Sequence, residues 1–369
     1  MSKALINRSK NHHVHYTVCD SLMRYAKILG FGDMHIKLDK ATGLVAIISV
    51  HNLTRGPAIG GCRLLPYDTV DRAMEDSMRL AYMMSFKAAI NNLNHGGGKA
   101  VLIKPKVIKD PQAYFEKFGE FVNELGGRYI TAVDSGTSPH EMDIIARRTS
   151  FVTCTTKQGG DSDPSPLTAL GVRRAIEAAI QFKQGKDSLE GVHVAIQGLG
   201  HVGMSLAEDL HQRGARLTVA DISHTNLERC VAKFNAKICS PTDIYDVKAD
   251  VFSPCALGAV INRNTIKRLN VSIVAGSANN QLAHNQYGTL LHERGILYAP
   301  DFLINAGGLI HVAVIYDKGD LHRSLKQING IYQIVYDLYE RSASEGRATN
   351  LIAEEIARQR LTAHTHGNG

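Results

Sequence analysis

Several absences narrow this chain before any motif is read. Apolar runs are short: the longest, such as Leu44 to Val50, fall far below the roughly 20 residues that a membrane-spanning helix needs. The six cysteines, Cys19, Cys62, Cys154, Cys230, Cys239 and Cys255, form no C-x-x-C pair. That argues against a zinc site or a disulfide framework and suits reduced thiols in a cytoplasmic protein. The segment from Met1 to His15 is polar and basic and has no apolar core, unlike a signal peptide. His12, His13 and His15, with His364 and His366 near the other end, are expected in flexible termini rather than around a metal. The formal net charge is +7, but lysines and arginines are scattered rather than clustered among aromatics, so no nucleic-acid footprint is present. Such an excess serves solubility and is compatible with a small anionic substrate. No solenoid-type repeat is visible.

The 369 residues suit two domains, and 44% apolar with 21% charged residues is ordinary for a globular protein. Residues 21–30 read as a short helix ending at Gly30. Residues 34–38 and 43–50 read as a hairpin turning through Asp39-Lys40-Ala41-Thr42. Arg55 to Arg63, with three glycines and a proline, reads as a turn or as backbone that meets a ligand. From Asp71 to Leu93, Ala73, Met74, Met78, Ala81, Met84 and Ala88 recur at helical spacing, with Lys87 on the Met84 face. Strand and helix then alternate: 101–103, 111–125, 129–132 and 140–147. A Gly-, Asp-, Ser- and Pro-rich stretch from Thr155 to Pro166 marks a domain boundary, giving domains of 1–155 and from 156 onward. Leu321 to Ser344 reads as one long helix.

Lys87 and Lys99 lie twelve positions apart, the second after Gly96-Gly97-Gly98 at the head of the strand pattern Ala100 to Ile103. Each lysine reads as a solvated surface charge or as a functional amine. A second cation nearby, together with burial, lowers a lysine pKa and makes it a base near neutral pH. Asp134 follows a strand, where open α/β sheets place functional groups and where turn caps are also common.

Val192 to Gln197 is an apolar strand running straight into Gly198-Leu199-Gly200-His201-Val202-Gly203. A helix follows, then a second strand ending in Asp221. This is the dinucleotide-binding fingerprint in its full context. Gly198 makes the tight turn, Gly200 lets a pyrophosphate approach the helix N-terminus, and Gly203 allows close helix–strand packing. Asp221 can accept both ribose hydroxyls and would repel a 2′-phosphate. No arginine follows in residues 222–226, so NAD is expected rather than NADP. Asn279-Asn280 after a later strand reads either as a plain turn or as an amide donor to nicotinamide or substrate.

Together these segments resemble the glutamate/leucine/phenylalanine/valine group of amino acid dehydrogenases, and its leucine dehydrogenase branch most of all. The likeness runs from about Tyr25 to Arg360. It rests on Gly56-Pro57-Ala58-Ile59-Gly60-Gly61, the two lysines, Thr131 to Thr137, Pro164 to Thr168, the fingerprint, Ala275 to Leu282 and Asn305 to Gly308. The resemblance implies an α/β protein of two domains with an active-site cleft between them: a substrate and oligomerisation domain, to which residues 340–369 return, and a Rossmann domain over 156–339. It implies NAD-dependent deamination of an amino acid to the 2-oxo acid and ammonia, by a homo-oligomer. In that scheme Lys99 is the base, Asp134 handles the amine proton and Lys87 binds the α-carboxylate. Thr168 and Asn280 lie at the nicotinamide and substrate end, and Gly198, Leu199, Gly200, His201, Val202, Gly203, Asp221 and Ala256 bind the rest of the cofactor. Ile59, Gly60, Met84, Ala132, Leu309 and Val312 match substrate-pocket positions. Ile59 replaces the lysine by which glutamate dehydrogenases grip a side-chain carboxylate, so an apolar substrate is expected. Ala132 favours branched aliphatic side chains, whereas Leu309 resembles the phenylalanine-preferring members. A catalytically silent NAD-binding regulator would be expected to lack Lys99 or Asp134, and both are present.

Overall fold

The two strand patterns between Met34 and Val50 fold as an antiparallel hairpin of β1 (Asp33–Asp39) and β2 (Leu44–Asn52). Its turn is closed by the Asp39 carboxylate, which accepts hydrogen bonds from the Thr42 N–H (2.8 Å) and hydroxyl (2.7 Å). The structure, a computed structural model, describes residues 22–31, 33–158 and 163–363. The terminal histidines and Cys19 lie outside the described residues. Two compact units divide the chain; the described residues of the first are 22–31, 33–85 and 94–158, and those of the second are 86–93 and 163–363.

In the first unit a short helix α1 (residues 22–29) and the hairpin precede β3 (Ala58–Leu65), α2 (Val70–Ile90), β4 (Gly96–Ile103), α3 (Pro111–Glu124), β5 (Tyr129–Val133) and α4 (Pro139–Ile145). The last turn of α2 groups with the second unit. The sheet order is β1-β2-β4-β3-β5, with the hairpin and β2·β4 antiparallel and the rest parallel. Strand side chains alternate between faces. Leu44, Ala46, Ile48, Cys62, Leu64, Ala100 and Leu102 join one core with Phe115, Phe118 and Ile145 from α3 and α4. Ile47 and Val101 point the other way, packing with Ala73 of α2.

The segment expected to be a turn is therefore partly wrong: from Ala58 onward it is a strand inside the sheet, between β4 and β5. Its glycines are needed for space. A Cβ on Gly60 would fall 1.8 Å from the Gly98 carbonyl oxygen. The three glycines before Lys99 serve packing too. They lie in β4 without positive φ, and a Cβ on Gly97 would strike the Ser85 backbone of α2 at 2.1 Å, one on Gly98 the Tyr129 ring at 2.7 Å.

The second unit contains α5 (Ser165–Gln184), β6 (His193–Gln197), α6 (His201–His211), β7 (Arg216–Ala220), α7 (His224–Phe234), β8 (Lys237–Ile238), β9 (Val251–Pro254), β10 (Ile273–Val274), α8 (Gln286–Glu293) and β11 (Leu297–Tyr298). Helices α9 (Asp301–Ile304), α10 (Gly307–Tyr316), α11 (Leu321–Asn329), α12 (Ile331–Glu345) and α13 (Thr349–Thr362) follow. Its sheet is wholly parallel, in the order β11-β10-β9-β6-β7-β8. That is the doubly wound dinucleotide-binding arrangement, with the strand order reversing between β6 and β9. The single long helix expected from 321 to 344 is two, meeting at Gly330.

The division also differs from the expected boundaries. Thr156–Gln158 stays with the first unit, where Asp143 accepts from the Thr156 N–H (3.0 Å) and hydroxyl (2.7 Å). Helix α13 groups with the second unit. The Thr349 hydroxyl donates to the Tyr298 carbonyl (2.7 Å), Arg341 pairs with Glu355 (2.5 Å), and the Arg360 guanidinium donates to the Ile90 carbonyl (2.7 Å).

Candidate active site

The alternation that sorts the first sheet into faces also assembles a site. Ile59, Gly61 and Arg63 of β3, Lys99 of β4, and Ala132 with Asp134 at the end of β5 all fall on the α2 face. Lys99 is 6% exposed. Its Nζ lies 2.5 Å from Asp134 Oδ2, and the same oxygen accepts from Arg63 Nε at 3.1 Å. Burial pushes the Asp134 carboxyl up, but the Lys99 and Arg63 cations more than offset it and hold the group down at about 2. The charge set against Lys99 in this unit is thus an anion, where sequence reasoning had supplied only a second lysine.

Backbone anchors fix the geometry. The Asp134 N–H donates to Thr137 Oγ1 (3.0 Å), whose hydroxyl donates to the Cys62 carbonyl (2.8 Å) of β3. The buried Ser77 hydroxyl of α2 reaches the Lys99 carbonyl (3.1 Å) and the Ser49 hydroxyl (2.8 Å). The Tyr129 hydroxyl donates to the Gly60 carbonyl (2.7 Å) and accepts from the Ala100 N–H (3.1 Å). Of the sequence candidates, Ile59, Gly60, Met84, Lys99, Ala132 and Asp134 belong to this unit. Ile59 and Ala132 are buried and Met84 half-buried.

Lys87, Thr168, the fingerprint residues, Asp221, Ala256, Asn280, Leu309 and Val312 belong to the second unit. Three glycines there behave in three ways. Gly198 has φ +97°, and a Cβ on it would meet Ala256 Cβ at 2.7 Å across the β6–β9 switch. A Cβ on Gly203 would fall 2.0 Å from the Gly198 carbonyl oxygen. Around Gly200, which caps α6, no protein atom comes within 4 Å of that position. The one open glycine at the helix N-terminus is where a pyrophosphate would approach. Asp221 accepts from the Leu199 N–H (2.5 Å) and the Ser223 N–H (2.7 Å), so it already ties the turn to β7. Each carboxylate oxygen keeps a further lone pair for a ribose hydroxyl. Ile222 and Leu257, one after Asp221 and the other after Ala256, are 93% and 79% exposed, apolar surface of the kind an adenine covers. These residues fit a bound dinucleotide.

At the ends of β9 and β10, Asn280 has φ +52° and its carbonyl accepts from the Ala259 N–H (2.7 Å). Buried Asp301 accepts from the Gln281 N–H (2.9 Å), and the Asn305 amide donates to Asn279 Oδ1 (2.8 Å). A methyl on Gly307 or Gly308 would crowd the Thr168 backbone (2.9 Å) or hydroxyl (3.4 Å). Lys87, in the last turn of α2, is half-buried and its charge reaches Asp301. Sequence reading missed Arg63, Asp76, Asp301 and Gln281. Arg63 had a signal: with residues 58–65 read as a strand, it alternates onto the face of Ile59.

A parallel nucleotide-binding sheet in one unit and a buried lysine–carboxylate pair in the other define the class as a dinucleotide-dependent oxidoreductase. The family model of the Glu/Leu/Phe/Val dehydrogenase dimerisation domain matches residues 32–151. That of glutamate/leucine/phenylalanine/valine dehydrogenase matches residues 159–225 and 218–316. A leucine dehydrogenase of Thermoactinomyces intermedius is 46% identical over 324 residues, 88% of each chain. A phenylalanine dehydrogenase of Bacillus thermotolerans is 42% identical over 337 residues, 89% of this chain and 88% of that one. The crystal structure of L-tryptophan dehydrogenase from Nostoc punctiforme superposes with a TM-score of 0.81 at 36% identity, covering 94% of this chain and all of the other. The chain belongs to the glutamate/leucine/phenylalanine/valine dehydrogenase family. It is an NAD(P)-dependent amino acid dehydrogenase.

Proposed function

We propose that this protein catalyses the reversible oxidative deamination of an apolar L-amino acid, with leucine, valine and isoleucine favoured, using NAD. The amino acid, NAD+ and water give the 2-oxo acid, ammonium, NADH and a proton. The observation that carries the reading is the contact between Lys99 Nζ and Asp134 Oδ2. When bound, the nicotinamide supplies the acceptor for the hydride of the substrate Cα. The protein's own part is acid–base chemistry and positioning. Lys99 takes a proton from the water that adds to the substrate imine carbon. Asp134, one hydrogen bond away, carries the proton of the amino group as ammonia leaves. Lys87 offers its ammonium to the α-carboxylate, and Thr168 and Asn280 offer a hydroxyl and an amide at the nicotinamide end.

Ile59 and Ala132, both buried, and half-buried Met84, Leu309 and Val312 would line the side-chain pocket. An acidic side chain there would lack a counter-charge, and burying an unpaired carboxylate costs several kcal/mol or more. Asp221 favours NAD because a 2′-phosphate would meet its charge. We assign residues 1–155 the substrate and oligomerisation role, and the protein to a cytoplasmic homo-oligomer. No helix among the described residues is long and apolar enough to cross a membrane. A second reading, an aromatic-preferring dehydrogenase, is favoured by Leu309 and by the names of the phenylalanine and tryptophan dehydrogenase relatives.

The test follows NADH absorbance with each L-amino acid, using NAD and NADP in parallel. Fastest turnover with a branched aliphatic substrate and NAD is expected. No turnover of any amino acid would overturn the reading, a phenylalanine preference would select the second one, and an NADP preference would remove the role given to Asp221.

A further inference from the structure

We infer that Arg63, anchored by Asp76, is the positioning residue for Asp134: its guanidinium holds the carboxylate oxygen that Lys99 engages and stays charged when Lys99 does not. This rests on the roles proposed for Lys99 and Asp134. The guanidinium spans two carboxylates, with Nε 3.1 Å from Asp134 Oδ2 and Nη1 2.9 Å from Asp76 Oδ2. Asp76 lies in the second turn of α2 and is held in turn by the Tyr67 hydroxyl (2.7 Å) and Arg79 Nη2 (2.7 Å). The chain of contacts therefore joins β3, the end of β5 and α2. A planar fork clamped on two edges fixes the direction of each bond, which a lysine's point charge does not.

The chemical need is specific. Asp134 is mostly enclosed, and an enclosed carboxylate without a cation takes up a proton. As a base, Lys99 must pass through its neutral amine form, and at that moment it stops compensating Asp134. Arginine does not lose its proton in proteins. Arg63 thus supplies Asp134 with a permanent counter-charge through the cycle. The titratable groups facing the guanidinium are Asp134, Asp76 and Tyr67, with Lys99 and Arg79 one contact further.

Two measurements test this. A double-mutant cycle of Arg63→Gln and Asp134→Asn, read by denaturant unfolding, needs no activity. The two losses should be clearly non-additive, and additivity would overturn the inference. In steady-state kinetics, Arg63→Gln should lower kcat by about 10- to 100-fold, the usual range for a supporting contact. KM should change little, and NAD binding, followed by fluorescence, should hold. The pH of half-maximal turnover should move upward. Arg63→Lys should restore part of kcat, and Asp76→Asn should fall between. If Arg63→Gln does not fold, Arg63→Lys and Asp76→Asn carry the kinetic test. Folded variants with wild-type kcat and pH profile would overturn the inference. If the parent protein deaminates no amino acid, the proposed function fails, and the unfolding cycle still decides whether Arg63 and Asp134 are coupled.

Discussion

Gly61 stands against Asp134 with no room for a methyl group: a Cβ on Gly61 would lie 2.7 Å from Asp134 Cβ and equally close to the Val133 carbonyl oxygen. The carboxylate can reach Lys99 because the neighbouring strand carries no side chain there. Gly61→Ala should displace Asp134 and lower turnover at least tenfold, since catalytic groups lose rate steeply when misplaced by an ångström. Near-normal kcat in that variant would contradict the packing argument.

Lys99→Ala should bind NAD normally, because the fingerprint lies in the other unit, yet lose about 10²- to 10⁴-fold in kcat, the usual worth of general acid–base catalysis. Asp134→Asn should behave alike, since an amide does not carry the amine proton. Equilibrium NAD binding beside steady-state rates separates the two effects.

The fingerprint glycines should differ in kind. Gly200→Ala meets no protein atom, so stability should change little while NAD affinity falls. Gly203→Ala forces a methyl within 2.0 Å of the Gly198 carbonyl oxygen and should destabilise the fold itself. Thermal melts and NAD titrations of both variants check this; equal loss of stability in the two would refute it.

Acid stability should report Asp134. Its folded value of about 2 lies below the ordinary 3.8, so the unfolded chain binds the proton first as pH falls. The stabilisation, on the order of 2 kcal/mol, is complete above 3.8 and lost as pH drops towards 2. Unfolding of the parent and Asp134→Asn should therefore differ most near neutrality and converge at low pH. A gap that does not narrow would place the ion pair's contribution elsewhere.

The substrate pocket should reject acidic side chains at Ile59, which is fully buried. L-Leucine should be deaminated faster than L-glutamate at equal concentration. Ile59→Lys should narrow that ratio by restoring a counter-charge. A methylene in an apolar pocket is worth only about 1–3 kcal/mol, so leucine, valine and isoleucine should differ by modest factors. A parent protein faster on glutamate would end the assignment of Ile59.

Local patterns carried much of this structure. Two strand-like runs around a short polar turn marked the hairpin, helical spacing marked α2, and the strand–glycine–helix–strand–Asp221 order marked the nucleotide-binding unit, because each is written within a short stretch of chain. Those patterns, with the motifs around Lys99 and Asp134, were enough to point to the family. Tertiary structure alone decided what depends on pairing between distant segments. Residues 58–65 look like a loop because glycine has poor strand propensity, yet neighbours on both sides make β3 a central strand. The bond between Lys99 and Asp134 joins residues 35 apart, and Arg63 enters only when β3 brings it onto their face. No local period encodes a contact made across three strands and a helix. It appears only when the sheet order β4-β3-β5 lays those side chains on one surface and α2 covers them.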